Sequence, residues 1–152
     1  MAKFGYMDQQ QVEAEKVIAF KVLEITMPNG EHPVFYGRMA GEKNKPYFNA
    51  VLKTQAVRAK EMQVAGVSSE MLGENRNEDR ELFPAHVLTG WEVVDAHGKT
   101  VPYSEEDCAE FLAMIPDHAF DRMRNHFSTA SNFMGQKDLP PTTEAAVKKG
   151  KS

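Results

Sequence analysis

Residues 90–120, GWEVVDAHGKTVPYSEEDCAEFLAMIPDHAF, leave the chain few ways to fold. Pro116 lacks a backbone donor and its ring clashes with a preceding helical turn, so a helix arriving from the N-terminal side stops there. Ser104 stands where a side-chain oxygen can accept from an exposed backbone N–H. A helix in this stretch is therefore confined between Ser104 and Pro116. Glu105, Glu106 and Asp107 favour its positive end, and Asp107, three residues after Ser104, is a shorter relative of the capping-box acid. Cys108, Phe111, Leu112 and Ile115 share one face.

On the N-terminal side, Gly90 ends the preceding element and Trp91–Val94 alternates as a strand. Asp95-Ala96-His97-Gly98 supplies turn chemistry, and Thr100–Tyr103 returns extended. After Pro116, Asp117 can begin a second helix, with Phe120, Met123, Phe127 and Met134 at near-helical intervals. Two short helices at a proline corner thus pack back on a small β element. Trp91, Phe111, Leu112, Ile115, Phe120 and Phe127 form its predicted core.

The N-terminal half reads differently. Residues 16–27 (KVIAFKVLEITM) and 33–40 (PVFYGRMA) are rich in β-branched and aromatic types, and Pro28-Asn29-Gly30 between them suits a tight turn. This predicts a β-hairpin. A polar turn at 41–46 leads into a helix from about Tyr47 to Gln63, with Phe48, Val51, Leu52, Gln55, Ala59 and Met62 at helical spacing. Residues 64–75 carry glycines and serines and read as a loop or broken turn. Asn75 or Asn77 then caps a helix through RNEDRELFPAHVL, in which Pro84 makes a kink or a new start.

The predicted fold is α+β: an N-terminal β-hairpin, a central helix, a short β element and two C-terminal helices. One domain over residues 16–134 lies between a flexible arm, 1–15, and a disordered proline- and lysine-containing tail, 135–152. A length of 152 residues suits one domain with a real core, and 41% hydrophobic with 26% charged residues is an ordinary globular balance. The net charge of -4 gives no global pull toward nucleic acid or an anionic membrane. Lys148, Lys149 and Lys151 read as a solvated tail rather than a nucleic-acid contact. Without an apolar leader or a spanning apolar run, the expected compartment is the cytoplasm, and no membrane partner is expected.

Cys108 is the only cysteine, which excludes an intramolecular disulfide and a multi-cysteine zinc site. A nucleophile–base pair of Cys108 with His86 or His97 remains open, against the reading of Cys108 as a small buried hydrophobe. His118 and His126 share a helical face with Arg122 between them, and that cation opposes a divalent ion. The cluster Glu105, Glu106, Asp107 and Glu110 has the ordinary composition of a helix start. No phosphate loop, dinucleotide fingerprint, G-x-S-x-G or zinc-protease motif occurs. The expectation is a non-enzyme with no cofactor, no metal and no catalytic residue. Met39, Met62 and Met71 fall beside loops, where flexible thioethers suit partner contacts.

Residues 81–127, ELFPAHVLTGWEVVDAHGKTVPYSEEDCAEFLAMIPDHAFDRMRNHF, resemble a family of small bacteriophage proteins encoded among tail genes, the tail assembly chaperones. The resemblance lies in an apolar helix end, Gly90-Trp91, a D-x-x-G turn at Asp95–Gly98, an apolar-polar return, Ser104 with acids, and a short helix ending at proline. It covers about a third of the chain. It implies a non-enzymatic protein that binds the tape-measure protein and helps recruit tail tube subunits in the host cytoplasm during assembly. Trp91, Phe111 and Leu112 carry over as a packing core. Two alternatives stand beside it: a structural subunit retained in the virion, at capsid, neck or tail, and a small Cys/His enzyme. A homo-oligomer is compatible with either assembly role.

Overall fold

The computed structural model describes residues 3–13, 15–65 and 69–134, with the side chains of 8–10, 58 and 61–74 outside that description. The predicted hairpin forms from β1 (Ile18–Lys21) and β2 (Val34–Gly37), antiparallel, with Phe20 opposite Phe35. Its tip closes at Asn29-Gly30: Gly30 adopts φ 86°, its N–H donates to the Met27 carbonyl at 2.8 Å, and the Asn29 side chain accepts from Glu31 N–H at 3.0 Å. Both strands are shorter than the predicted segments. A turn closed by Ile25 N–H to the Val22 carbonyl interrupts the first, and Val22 and Met27 are both buried.

After β2 the chain crosses close beneath the helices. A Cβ at Gly37 would meet the Val87 carbonyl oxygen at 2.8 Å, so only glycine fits this approach. The next helix, α1 (Lys45–Ala65), agrees with the sequence reading within two residues at each end. Asn44 starts it: its side-chain oxygen accepts from Tyr47 N–H at 3.3 Å, while its amide donates to the Met39 and His86 carbonyls at 2.9 and 2.8 Å. One buried asparagine thereby joins the start of α1 to the end of the following helix.

That following helix corrects the sequence reading. α2 spans Ser69–His86, so residues 69–75 are helical rather than loop, and Asn75 and Asn77 lie inside the helix instead of capping it. Gly73 costs about 1 kcal/mol in a helix interior. The surrounding Glu, Leu and Arg residues are good helix formers, and Arg76, Asp79 and Arg80 bind Asp121, Arg124 and Asp117 across the fold, which outweighs that cost. Pro84 sits in the last turn without ending the helix, and Val87 N–H still reaches the Phe83 carbonyl at 3.0 Å.

β3 (Leu88–Glu92) completes a three-stranded antiparallel sheet of order β1-β2-β3. Gly90, predicted to end the preceding element, lies within β3 opposite Tyr36. The Asp95–Gly98 turn forms as predicted: the Asp95 carboxylate accepts from His97 and Lys99 N–H at 2.8 and 3.0 Å, and Gly98 adopts φ 82°. Val101 N–H then pairs with the Val93 carbonyl at 2.9 Å.

Ser104 caps α3 (Glu105–Met114), its hydroxyl accepting from Asp107 N–H at 3.0 Å. Pro116 makes the corner, and α4 (Asp117–Ser128) follows. α4 stops short of Met134, and a 3₁₀ turn over Ala130–Phe133 buries Phe133 in its place. Leu112, Ile115, Phe120 and Phe127 occupy the core as predicted, around Phe83, whose ring lies 5.4 Å from Phe120 and 6.3 Å from Phe127.

Side chains cover the outer edges of the sheet. His126 Nε2 donates to the Ala19 carbonyl at 2.9 Å and Arg122 to that of Lys21 at 3.4 Å, while Tyr103 Oη donates to that of Leu88 at 3.3 Å. Edges satisfied in this way are poor templates for strand addition. Val12 bridges Met134, Glu13 N–H donates to the Phe133 carbonyl at 2.8 Å, and Lys16 Nζ to that of Met134 at 2.7 Å. The packed domain therefore begins at Val12 rather than residue 16. The predicted tail, 135–152, lies outside the described residues. No helix among the described residues is long and apolar enough to cross a membrane.

Candidate partner-binding groove

The stretch that most constrains the fold also builds a surface groove of about 200 Å³ between β3, its return strand and α3. Trp91, Val94, Val101 and Phe111 line it, Met114 stands at one lip, and Asp107 and Glu110 add carboxylates. The Trp91 indole N–H donates to the Val101 carbonyl at 2.8 Å. Its ring meets Phe35, Tyr103 and Phe111 at centroid separations of 5.7, 5.4 and 5.8 Å, the first two edge to face. Trp91 and Phe111, predicted as core, are thus core at one side and groove wall at the other, each half-buried. Met114 is 79% exposed, an adaptable thioether beside a rigid aromatic wall.

Of the three methionines proposed from sequence as partner contacts, Met39 does not reach this site. Met39 is buried in the core, because the chain leaving β2 turns inward under α4, where Ala40 N–H pairs with the Phe127 carbonyl at 2.7 Å. The side chains of Met62 and Met71 lie outside the described residues.

Cys108 is 0% exposed, and burial pushes its thiol up to about 12, with a Tyr103 hydrogen bond opposing the shift. A thiol so held stays protonated at neutral pH and is a poor nucleophile. His97 sits in the exposed turn, and the backbone of His86 is engaged by Asn44. Burial, together with the nearby Arg122 cation, holds His126 below the ordinary imidazole range, against the raising effect of its bond to Ala19. Among the described residues no group of three His, Cys, Asp or Glu is placed to hold a metal ion.

Two further clefts have different chemistry. One of about 360 Å³ lies on the open face of the sheet around Val34, Tyr36 and Glu92, where the Tyr36 hydroxyl donates to Glu92. The other, about 420 Å³, lies between α1, α2 and α4 and is lined by paired ions. There Asp79 accepts from Tyr47 Oη at 2.8 Å and from Arg124 Nε at 2.8 Å, Arg76 grips Asp121 through two bonds of 2.9 and 2.8 Å, and Arg80 reaches Asp117 at 2.8 Å. Burial first, then the Asp79 charge, raises the Tyr47 phenol, which therefore remains a donor. These ion pairs fasten α2 to α4, and Arg80 Nε is the buried side-chain nitrogen among the described residues that they leave without a hydrogen-bond partner.

The sequence reading missed this network. Its only trace is Arg76/Arg80 and Asp117/Asp121, pairs four apart that each share a helix face. That spacing says nothing of what the other helix presents. No protein-family model matches the chain, and no curated protein or solved structure matches it.

Proposed function

We propose that this chain is a non-enzymatic phage morphogenesis protein, a tail assembly chaperone that binds the tape-measure protein and tail tube subunits in the host cytoplasm. The observation that carries the reading is the groove of Trp91, Phe111 and Met114, which presents apolar surface beside Asp107 and Glu110 in the stretch that resembles that family. Apolar burial yields roughly 25 cal/mol per Å², so a groove this small gains a few kcal/mol from one or two client side chains. That suits capture and release better than permanent assembly. The carboxylates favour client segments in which apolar side chains stand next to Lys or Arg, and they speed encounter. Cys108, protonated and enclosed, supports the reading without a nucleophile.

A structural subunit retained in the virion is the second reading, favoured by one observation. The Val12–Met134 bridge brings the two ends of the packed domain together, so segments beyond them leave from one place and could reach one neighbour. Quantitative mass spectrometry of purified particles separates the two. Absence from particles, with tailless heads on gene deletion, is expected of the chaperone; a fixed copy number per particle overturns it in favour of the subunit.

A further inference from the structure

We infer that the groove is occupied, in the absence of a client, by the exposed face of α1 from a second copy of this chain. The inference rests on the reading of the groove as a docking surface and names its resting occupant. Leu52, Lys53, Ala56, Val57 and Lys60 recur at the spacing that places them on one side of a helix, and all five are exposed, Leu52 at 46% and Val57 at 58%. The opposite side of α1 turns inward, where Tyr47 is buried against Phe83 with ring centroids 6.0 Å apart. The outward stripe sets apolar Leu52 and Ala56 on one side of Lys53 and Lys60 and Val57 on the other, a mixture of apolar and basic groups complementary to an apolar groove that carries carboxylates.

Charge sharpens the match. In an acidic chain, α1 holds Lys45, Lys53, Arg58 and Lys60 against Glu61 alone, whereas α3 holds Glu105, Glu106, Asp107 and Glu110 with no base. A helix laid in an apolar groove uses residues one turn apart as anchors, and Leu52 with Ala56 supplies such a pair. Each copy carries one stripe and one groove on different elements, so the contact is head-to-tail. A contact made once leaves one free surface at each end, from which assembly proceeds to rings or short chains. Client and second copy then compete for one groove.

The test uses the full chain in sedimentation velocity over a range of concentrations and salt. Reversible association that weakens with added salt is expected. Leu52→Asp on the stripe and Met114→Asp on the groove lie at exposed positions and should leave the thermal midpoint nearly unchanged, while each weakens self-association about tenfold or more. The deciding arm mixes the two variants. Each keeps one intact surface, so the mixture should form heterodimers and stop there. A wild-type chain that stays monomeric at high concentration overturns the inference, as does association that neither substitution weakens or a mixture that forms no heterodimer. Client binding by a monomeric chain would sink only this inference; self-association without client binding would sink only the chaperone reading.

Discussion

The Trp91 indole N–H donates to the Val101 carbonyl at 2.8 Å, tying the last strand of the sheet to the extended segment that leads into α3. Because Ser104 starts α3 three residues later, this bond fixes the groove wall relative to Phe111 and Met114. Trp91→Phe keeps an aromatic wall but leaves that carbonyl without its donor. Urea unfolding should show a loss of about 1–2 kcal/mol with the fold retained, and client affinity should fall beyond what that loss explains.

Asp79 is the junction of the second cleft, accepting Tyr47 on one oxygen and Arg124 on the other. Tyr47→Phe should cost about 1–2 kcal/mol. Asp79→Ala should approach the roughly 3–5 kcal/mol of a broken buried pair, reduced because Arg124 keeps some solvent and Asp121. In a double-mutant cycle the two should couple by about 1 kcal/mol or more. Additive losses would show that the phenol and the carboxylate do not act together.

His126 makes stability depend on pH in a defined direction. Its folded pKa lies below the ordinary 6.5, so the unfolded chain takes up the proton first. Its contribution is complete above about pH 6.5 and declines as pH falls below it. Glu24, held down to about 2 chiefly by its hydrogen bonds with Arg122, contributes in a separate window, lost between pH 4.5 and about 2. His126→Gln can keep a donor toward the Ala19 carbonyl without titrating. Thermal melts should lose the upper window in this variant and retain the lower one.

Cys108 should react with a thiol reagent only on unfolding, so labelling in native buffer should be slow and become fast in urea. Cys108→Ala removes one buried sulfur and should cost about 1 kcal/mol, with client binding unchanged. Rapid native labelling would contradict the enclosed thiol.

The elements that carry their own punctuation were legible in the chain: Asn29-Gly30 at the hairpin tip, Asp95–Gly98 at the second turn, Ser104 and Pro116 around α3. Each acts through local backbone geometry, which one sequence contains. What failed depended on distant partners. Residues 69–75 looked like a loop because Gly73 and the serines weigh against a helix, while the ions that hold α2 to α4 come from beyond residue 116. Asn44 looked like an ordinary turn residue, since its bond to His86 spans 42 positions. Trp91 and Phe111 were recognised as packing residues, but their outward sides, and with them the groove, emerge only when α3 is placed against β3. Met39 failed for the same reason: proximity to a loop does not reveal which way the chain turns.

The most direct test of the account is the affinity of the tape-measure protein for the wild-type chain and for Met114→Asp, measured by titration calorimetry with the chain kept dilute. Met114 is 79% exposed, so its replacement leaves the core untouched. The account predicts saturable binding by wild type and a loss of about tenfold or more in the variant at equal thermal stability. Equal affinities would show that the client does not use the groove, and no binding by the wild-type chain would contradict the chaperone reading itself.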